Sequence, residues 1–385
     1  MHILYNKESG IKRALSANYN YYFDTKTGKF ARWGKTAEDD PVSGPVEIFD
    51  IEVSEVCDGV PAVGSTVAVP CSFCYKTNTR VGRNMSFETF KVIFDKIPQT
   101  LTQIAFGIGN LNGNPDLIKM IDYCRDNEWN PGVVPNLTIN GWELDSKWVD
   151  VLSSKLGGIA VSRYENKDIC YNAVKKLTDA GMSQVNIHMV LSNESLKDCY
   201  QLIDDAVSDP RLEKMKAVVF LTLKPKGKRN KMTTLKSVEE YRRLVQYAFD
   251  RDIGIGFDSC SAPTFLAAMK GHPKYEQLVQ LSESCESTMF SMYANVVGEF
   301  FPCSFTEGER GWETGIDLTK ISNFDKEVWN HPKTVAFRNK NIETTDHSIC
   351  GDCRKCVTFP DLYDAAIVHK PHVAAMGKYI PIVVD

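Results

Sequence analysis

Nowhere in the 385 residues do apolar side chains run for the roughly 20 positions that a membrane-crossing helix needs. The opening MHILYNKESGIKR also lacks the apolar segment of a secretory signal. An excess of one charge sign is missing too, since a net charge of −4 gives no global attraction to nucleic acid. The one basic run, KPKGKRNKMTTLK at 224–236, holds six basic residues and reads as a solvated loop or an anion site. There is no low-complexity tract, and no repeat beyond a strand–helix unit. What is present is a globular composition, 43% hydrophobic and 24% charged, in a chain long enough for one large domain and a small appendage.

From residue 47 onward, apolar runs alternate with helical periodicity. The strand-like runs are EIFDIEVSEV, TQIAFGIG, VPNLTING, GGIAVSRY, QVNIHMVLS, AVVFLTLKP and GIGFDSC. Between them, Leu117, Met120, Ile121 and Cys124 share one helix face, as do Val238, Tyr241, Leu244, Val245 and Ala248. This alternation predicts an α/β fold, a partial (β/α)6 barrel of the TIM type, with its chemistry at the C-terminal ends of the strands. The expected organisation is an N-terminal hairpin and polar loop over 1–46, the barrel over 47–260, and a small irregular Cys-rich domain over 261–385.

Twelve cysteines without an export signal point to the cytoplasm, where disulfides do not persist. Cys124, Cys170 and Cys199 fall on apolar helix stripes and read as core. Cys57, Cys71 and Cys74 cluster at the end of the first strand and in the loop after it, and Cys260 ends the last strand. Cys285, Cys303, Cys350, Cys353 and Cys356 lie in the irregular tail, where CGDCRKC stacks two C-x2-C steps. Zinc would take four such ligands in a closed site, whereas iron–sulfur clusters take a thiolate on each iron. Three cysteines at a strand end leave one iron of a four-iron cluster open to a substrate or cofactor, and no histidine lies nearby to complete a zinc site. A zinc-stabilised barrel that binds a ligand or partner is the reading from another class.

PCSFCYK, with the order of strands around it, resembles the radical S-adenosylmethionine superfamily over about residues 47–260. The family pattern is C-x3-C-x2-C with an aromatic residue before the third cysteine, the place of Phe73 here. Cys57 and Cys71 depart from it with thirteen residues between them, of a composition that suits a compact flap returning to its start. The resemblance implies a 4Fe-4S cluster on Cys57, Cys71 and Cys74. It implies S-adenosylmethionine contacts from Phe73, from FGIGN (Gly107, Gly109, Asn110), from LTING (Asn140), from SRYE (Ser162, Arg163) and from LKPKG (Lys224). FGIGN lacks the family's glutamate, so its contact with the cofactor amino group would fall to backbone carbonyls.

The tail pattern of Cys285, Gly298 and Cys303 followed by C-x2-C resembles the Twitch form of the SPASM extension. That implies one auxiliary 4Fe-4S cluster on Cys285, Cys303, Cys350 and either Cys353 or Cys356, with Cys260 in reserve. The implied activity is reductive cleavage of S-adenosylmethionine and hydrogen abstraction from a peptide or protein side chain, served by an electron donor of flavodoxin or ferredoxin type. A small metabolite or nucleotide-linked group docking on the 224–236 loop is the alternative substrate. His188, Asp258, Lys224 and Lys226 are further candidates at the barrel mouth.

Overall fold

The computed structural model describes residues 1–345 and 353–364, so Cys350 lies outside the described residues. The chain opens with four short strands, β1 (His2–Asn6), β2 (Ile11–Leu15), β3 (Asn20–Asp24) and β4 (Phe30–Trp33), paired in that order as an antiparallel sheet. This is a larger unit than the single expected hairpin. Polar and charged residues interrupt the apolar pattern of its first two strands, and Gly10, at φ +78°, ends the turn that joins them.

β5 (Ile48–Glu52) follows, then a two-stranded ribbon of β6 (Val60–Pro61) and β7 (Ala68–Val69). Regular alternation begins with α1 (Phe87–Phe94) and continues through β8 (Gln103–Gly107), α2 (Leu117–Asp126), β9 (Val134–Ile139), α3 (Ser146–Lys155) and β10 (Gly158–Ser162). It runs on through α4 (Lys167–Asp179), β11 (Val185–Leu191), α5 (Leu196–Ser208), β12 (Ala217–Thr222), α6 (Val238–Phe249) and β13 (Ile255–Phe257). All seven strand segments expected from the sequence are present. They lie side by side and parallel, in chain order from β5 through β8 to β13.

Helix ends follow their capping residues: Ser86, Asp145 and Ser237 accept hydrogen bonds from first-turn amides of α1, α3 and α6. The apolar stripes meet the sheet, with Leu117, Met120, Ile121 and Cys124 fully buried, and Cys170 and Cys199 in the same core. The three cysteines read as packing residues are packing residues.

After β13 come α7 (Ala262–Met269), α8 (Tyr275–Gln280), β14 (Ser291–Ala294), β15 (Glu299–Phe301), β16 (Ile316–Asp317) and α9 (Pro332–Glu343). β14 pairs in parallel with β5, and β15 and β16 extend that edge antiparallel, giving a ten-stranded sheet. β13 and β16 are its two ends, so the barrel stays open, and the C-terminal region shares its sheet. The N-terminal sheet covers the base of the strands. Tyr21 and Phe23 pack in one cluster with Val134 and Phe290, and the buried Lys12 donates to the Leu101 carbonyl at 2.6 Å. The C-terminal strand ends are left free for chemistry.

Candidate functional site

Cys57 lies five residues beyond the end of β5, and the thirteen residues before Cys71 contain the β6–β7 ribbon. Val60 pairs with Val69 and Pro61 with Ala68, so the chain leaves and returns at one point. Excising the ten residues 60–69 leaves Cys57-Asp58-Gly59-Pro70-Cys71, three residues between two cysteines. Gly59 makes this possible: its φ is +79°, and a Cβ there would stand 1.9 Å from the Val69 carbonyl oxygen.

Two asparagines hold the neck of the ribbon. Asn110 accepts from the Asp58 amide at 3.2 Å, and Asn140 donates to the Gly59 carbonyl and to Asn110, each at 3.2 Å. Both are buried, and both side chains are engaged in positioning Cys57. At Gly109 a Cβ would lie 2.3 Å from that of Cys57, so the glycine lets the thiol sit against the end of β8. Gly107 approaches β5 closely, and a Cβ there would stand 3.3 Å from the Glu52 Cα.

The three thiols lie within electrostatic reach of one another. Burial raises Cys57, and the neighbouring Cys74 raises it further; burial pushes Cys71 up to about 12, with Cys57 and Cys74 adding to the shift. Such thiols stay protonated unless a cationic centre takes them as thiolates. Tyr164 hydrogen-bonds to Cys71 and to Ser162, and its ring stacks on Phe73 at 6.1 Å. Phe73, Ser162, Gly107, Gly109, Asn110 and Asn140 are thus gathered around the cysteines. Tyr164, two residues beyond Ser162 on the same face, joins them and was not singled out from the sequence, although strand alternation signals its direction.

Arg163 and Lys224 are placed elsewhere. Arg163 is buried toward the helices, where its side chain meets Tyr171, and its Nε has no partner among the described residues. Its position between inward-facing Ser162 and Tyr164 is the physical reason. Lys224 pairs with Asp258 and lies over the Phe305 ring. Burial alone would lower it, but Asp258, Cys260 and Cys356 together hold it above the ordinary lysine value. It belongs to a second cysteine group.

That second group draws on four distant parts of the chain. The Cys260 thiol is hydrogen-bonded to Cys356, and this contact, with burial, raises it well above the usual range. Cys285 is raised by burial and then by Cys260; Cys303 is pushed up to about 12 by burial, then by Cys285 and Cys260. The β14–β15 hairpin carries Cys285 and Cys303 on its two flanks, turning at Gly298 with φ +87°. Tyr363 ties the remaining pair, its hydroxyl accepting from the Cys356 amide at 2.8 Å and donating to the Cys260 carbonyl at 3.1 Å. The structure therefore gathers Cys260, Cys285, Cys303 and Cys356. Cys353 is buried, and of Cys353 and Cys356 it is Cys356 that meets Cys260. No group of three or more His, Cys, Asp and Glu side chains among the described residues converges on a position for one metal ion. The ligands of a four-iron cluster each take a different iron and stand further apart. Three half-buried thiols in the first group, and four buried or half-buried ones in the second, are donor sets that fit such clusters.

A polar latch joins the two groups. Lys76, two residues past Cys74, pairs with Glu307, four residues past Cys303, and with Glu52 at 3.0 Å. It also donates to the Tyr293 hydroxyl at 2.8 Å, while the Tyr75 ring stacks on Phe305 at 4.4 Å. Lys226 donates to the Phe305 carbonyl at 3.0 Å and pairs with Glu309 at 3.0 Å. Arg229 donates to the Asn78 carbonyl at 2.9 Å, so three cations of the 224–236 run are committed inside the protein. His188 faces the barrel interior, where burial lowers it to about 4.

No family model and no curated protein sequence matches the chain. Solved structures do match. Streptococcus suis SuiB bound to S-adenosylmethionine aligns with a TM-score of 0.60 at 16% identity, over 84% of this chain and 77% of that one. A further structure of Streptococcus suis SuiB gives 0.67 at 13% identity, over 95% and 100%. The enzyme anSMEcpe with bound AdoMet gives 0.57 at 15% identity, over 82% and 87%. These likenesses establish the fold, an open α/β barrel with its C-terminal extension.

Proposed function

We propose that this protein is a radical S-adenosylmethionine enzyme that modifies a peptide or protein side chain. The observation that carries the reading is the β6–β7 register, which turns a C-x13-C spacing into C-x3-C across the neck of the ribbon. It does so at the C-terminal strand ends of a fold shared with structures that hold S-adenosylmethionine. Cys57, Cys71 and Cys74 would hold a 4Fe-4S cluster, and Cys260, Cys285, Cys303 and Cys356 an auxiliary one. In the ligand set for the second, Cys260 takes the place first given to Cys350.

A 4Fe-4S cluster held by Cys57, Cys71 and Cys74 would supply the electron for reductive cleavage of S-adenosylmethionine, and with it the power to remove hydrogen from a substrate C–H bond. This chain's own residues prepare that event. Gly109, Asn110 and Asn140 fix Cys57; the Phe73–Tyr164 stack offers an aromatic surface for the adenine; Ser162 and Tyr164 present hydroxyls at the same rim. The ribbon over 60–69 stands beside the triad. Peptide substrates are supported by SuiB and anSMEcpe, each also solved with a bound peptide. Commitment of Lys224, Lys226 and Arg229 to internal contacts weakens a phosphate-docking role for their loop. Among the described residues no helix is long and apolar enough to cross a membrane. We place the protein in the cytoplasm, reduced by a flavodoxin or ferredoxin type of donor.

The test is anaerobic purification, assay of iron and acid-labile sulfide, then reduction with dithionite in the presence of S-adenosylmethionine. Brown protein that forms 5′-deoxyadenosine is expected. Colourless zinc-bearing protein, or no product from fully loaded protein, overturns the reading.

A further inference from the structure

The strands that carry the site have two faces. Phe49, Ile51, Phe106, Leu137 and Ile187 turn to the helices and are buried. The alternate positions line the interior of the open barrel and include the polar side chains Asp50, Gln103, Asn136, Asn186 and His188. The register places Asp50 beside Ala105, and Ala105 beside Asn136, which donates to Gln103 at 3.0 Å. Helices cover these strands outside and the N-terminal sheet covers their base, yet Asp50 stays exposed and Asn136, Asn186 and His188 stay half-buried. Surface that remains accessible at such positions faces a lumen, and the small Ala105, Gly107 and Ala160 keep that lumen wide.

Its charges are not equally satisfied. Glu52 is held by Lys76, and Asp258 by Lys224. His188 is neutral near pH 7, its value lowered to about 4 by burial. Asp50 has no hydrogen bond and no ion pair among the described residues, and enclosure by the fold raises its carboxyl to about 6. It is ionised at neutral pH with no cation among the described residues to balance it. A carboxylate without a partner in a lumen still open to solvent accepts a charge-assisted hydrogen bond from a cationic donor without breaking any internal contact.

We propose that Asp50 recognises a cation: the group admitted to the lumen carries a protonated amine or a guanidinium, as a lysine-like or arginine-like side chain would. This rests on the reading that the barrel mouth beneath the cysteine triad receives the substrate side chain. The neutral amides of Gln103, Asn136 and Asn186 supply further hydrogen-bond partners around the cation, and among the described residues the lumen cations Lys76 and Lys224 are already paired.

The experiment measures equilibrium binding of n-butylammonium, n-butylguanidinium and neutral 1-pentanol to the cluster-loaded protein by anaerobic calorimetry at pH 7.5. D50N should weaken both cations by roughly tenfold or more, the loss of a charge-assisted hydrogen bond, and leave 1-pentanol unchanged. Iron and sulfide content equal to wild type reports that D50N has folded. Should it not fold, D50E and D50Q carry the comparison, since they match in length and differ in charge; D50E should keep the cation preference and D50Q lose it. Cation affinity indifferent to the charge at position 50 overturns the inference, as do 1-pentanol bound as tightly as the cations and failure of every probe to bind wild type. Formation of 5′-deoxyadenosine by wild type is read separately. Its absence removes the radical reading while cation discrimination stands, and its presence without discrimination removes only the role of Asp50.

Discussion

The two cysteine groups reach the same kind of donor set by opposite routes. Cys57, Cys71 and Cys74 come from one strand end and its loop, within eighteen residues, and the ribbon between the first two adds length without adding distance. Cys260, Cys285, Cys303 and Cys356 span ninety-seven residues and are assembled by a strand end, a hairpin and Tyr363. The first depends on local backbone geometry and the second on the whole C-terminal region packing correctly. The latch from Lys76 to Glu307 makes the positions of the two loops interdependent.

The sharpest separation should come from removing one ligand of each. Cys57→Ala should lower 5′-deoxyadenosine formation by about a thousandfold or more, because the group that carries the chemistry is lost. Cys356→Ala should remove about four irons per chain and lower the same reaction by no more than about tenfold. Equal losses from both, measured by chromatography after dithionite reduction, would erase the distinction between a reactive and an auxiliary group. Cys350→Ala should leave iron content unchanged; loss of about four irons would return that residue to the ligand set.

The ribbon comes next. Deleting residues 60–69 should leave iron at the first group near wild type, whereas Gly59→Ala should lower it. The alanine would incur about 1–2 kcal/mol for its left-handed backbone and would also clash with the Val69 carbonyl at 1.9 Å. If the deletion binds no iron and the alanine variant binds it fully, the ribbon is more than an insertion at a point.

A smaller effect is expected at the latch. Lys76→Met would leave Glu52 and Glu307 facing each other, partly buried and unpaired, at about 3 kcal/mol. Glu307→Gln, at the more exposed partner, should cost about 1 kcal/mol. Urea midpoints read both, and iron at the two groups should fall together in Lys76→Met if the loops are linked.

The smallest effect is in the pH dependence of stability. His188, lowered to about 4 in the folded state, binds protons more readily when unfolded, so its contribution is lost as pH falls from about 6.5 toward 4. Asp50, raised to about 6, acts oppositely, gaining stability as pH falls through that value. His188→Gln should therefore flatten the acid limb of the stability profile, and Asp50→Asn should steepen it.

Much of this was readable from the chain. The seven strands, the stripe of α2 and the core role of Cys124, Cys170 and Cys199 follow from periodicity, because a side chain's face is set by spacing along one element. The C-x2-C of Cys71 and Cys74 is local in the same way. Alternation along GGIAVSRY also turns Arg163 away from the face of Ser162 and Tyr164, against the cofactor contact that the resemblance implied for it. The N-terminal sheet was under-read because polar and charged residues interrupt the apolar pattern of its first two strands, HILYN and IKRAL.

The amino-acid sequence by itself determined the βα alternation, the helix faces and which cysteines could not be core. Only the tertiary structure decided that Cys57 returns to Cys71, that Cys260 joins the tail thiols, that Lys224 belongs with them, and that Asp50 has no partner among the described residues. The physical reason is one of range. Spacing fixes direction within an element, whereas convergence of distant thiols and the pairing of a charge depend on how elements pack, which no local pattern encodes.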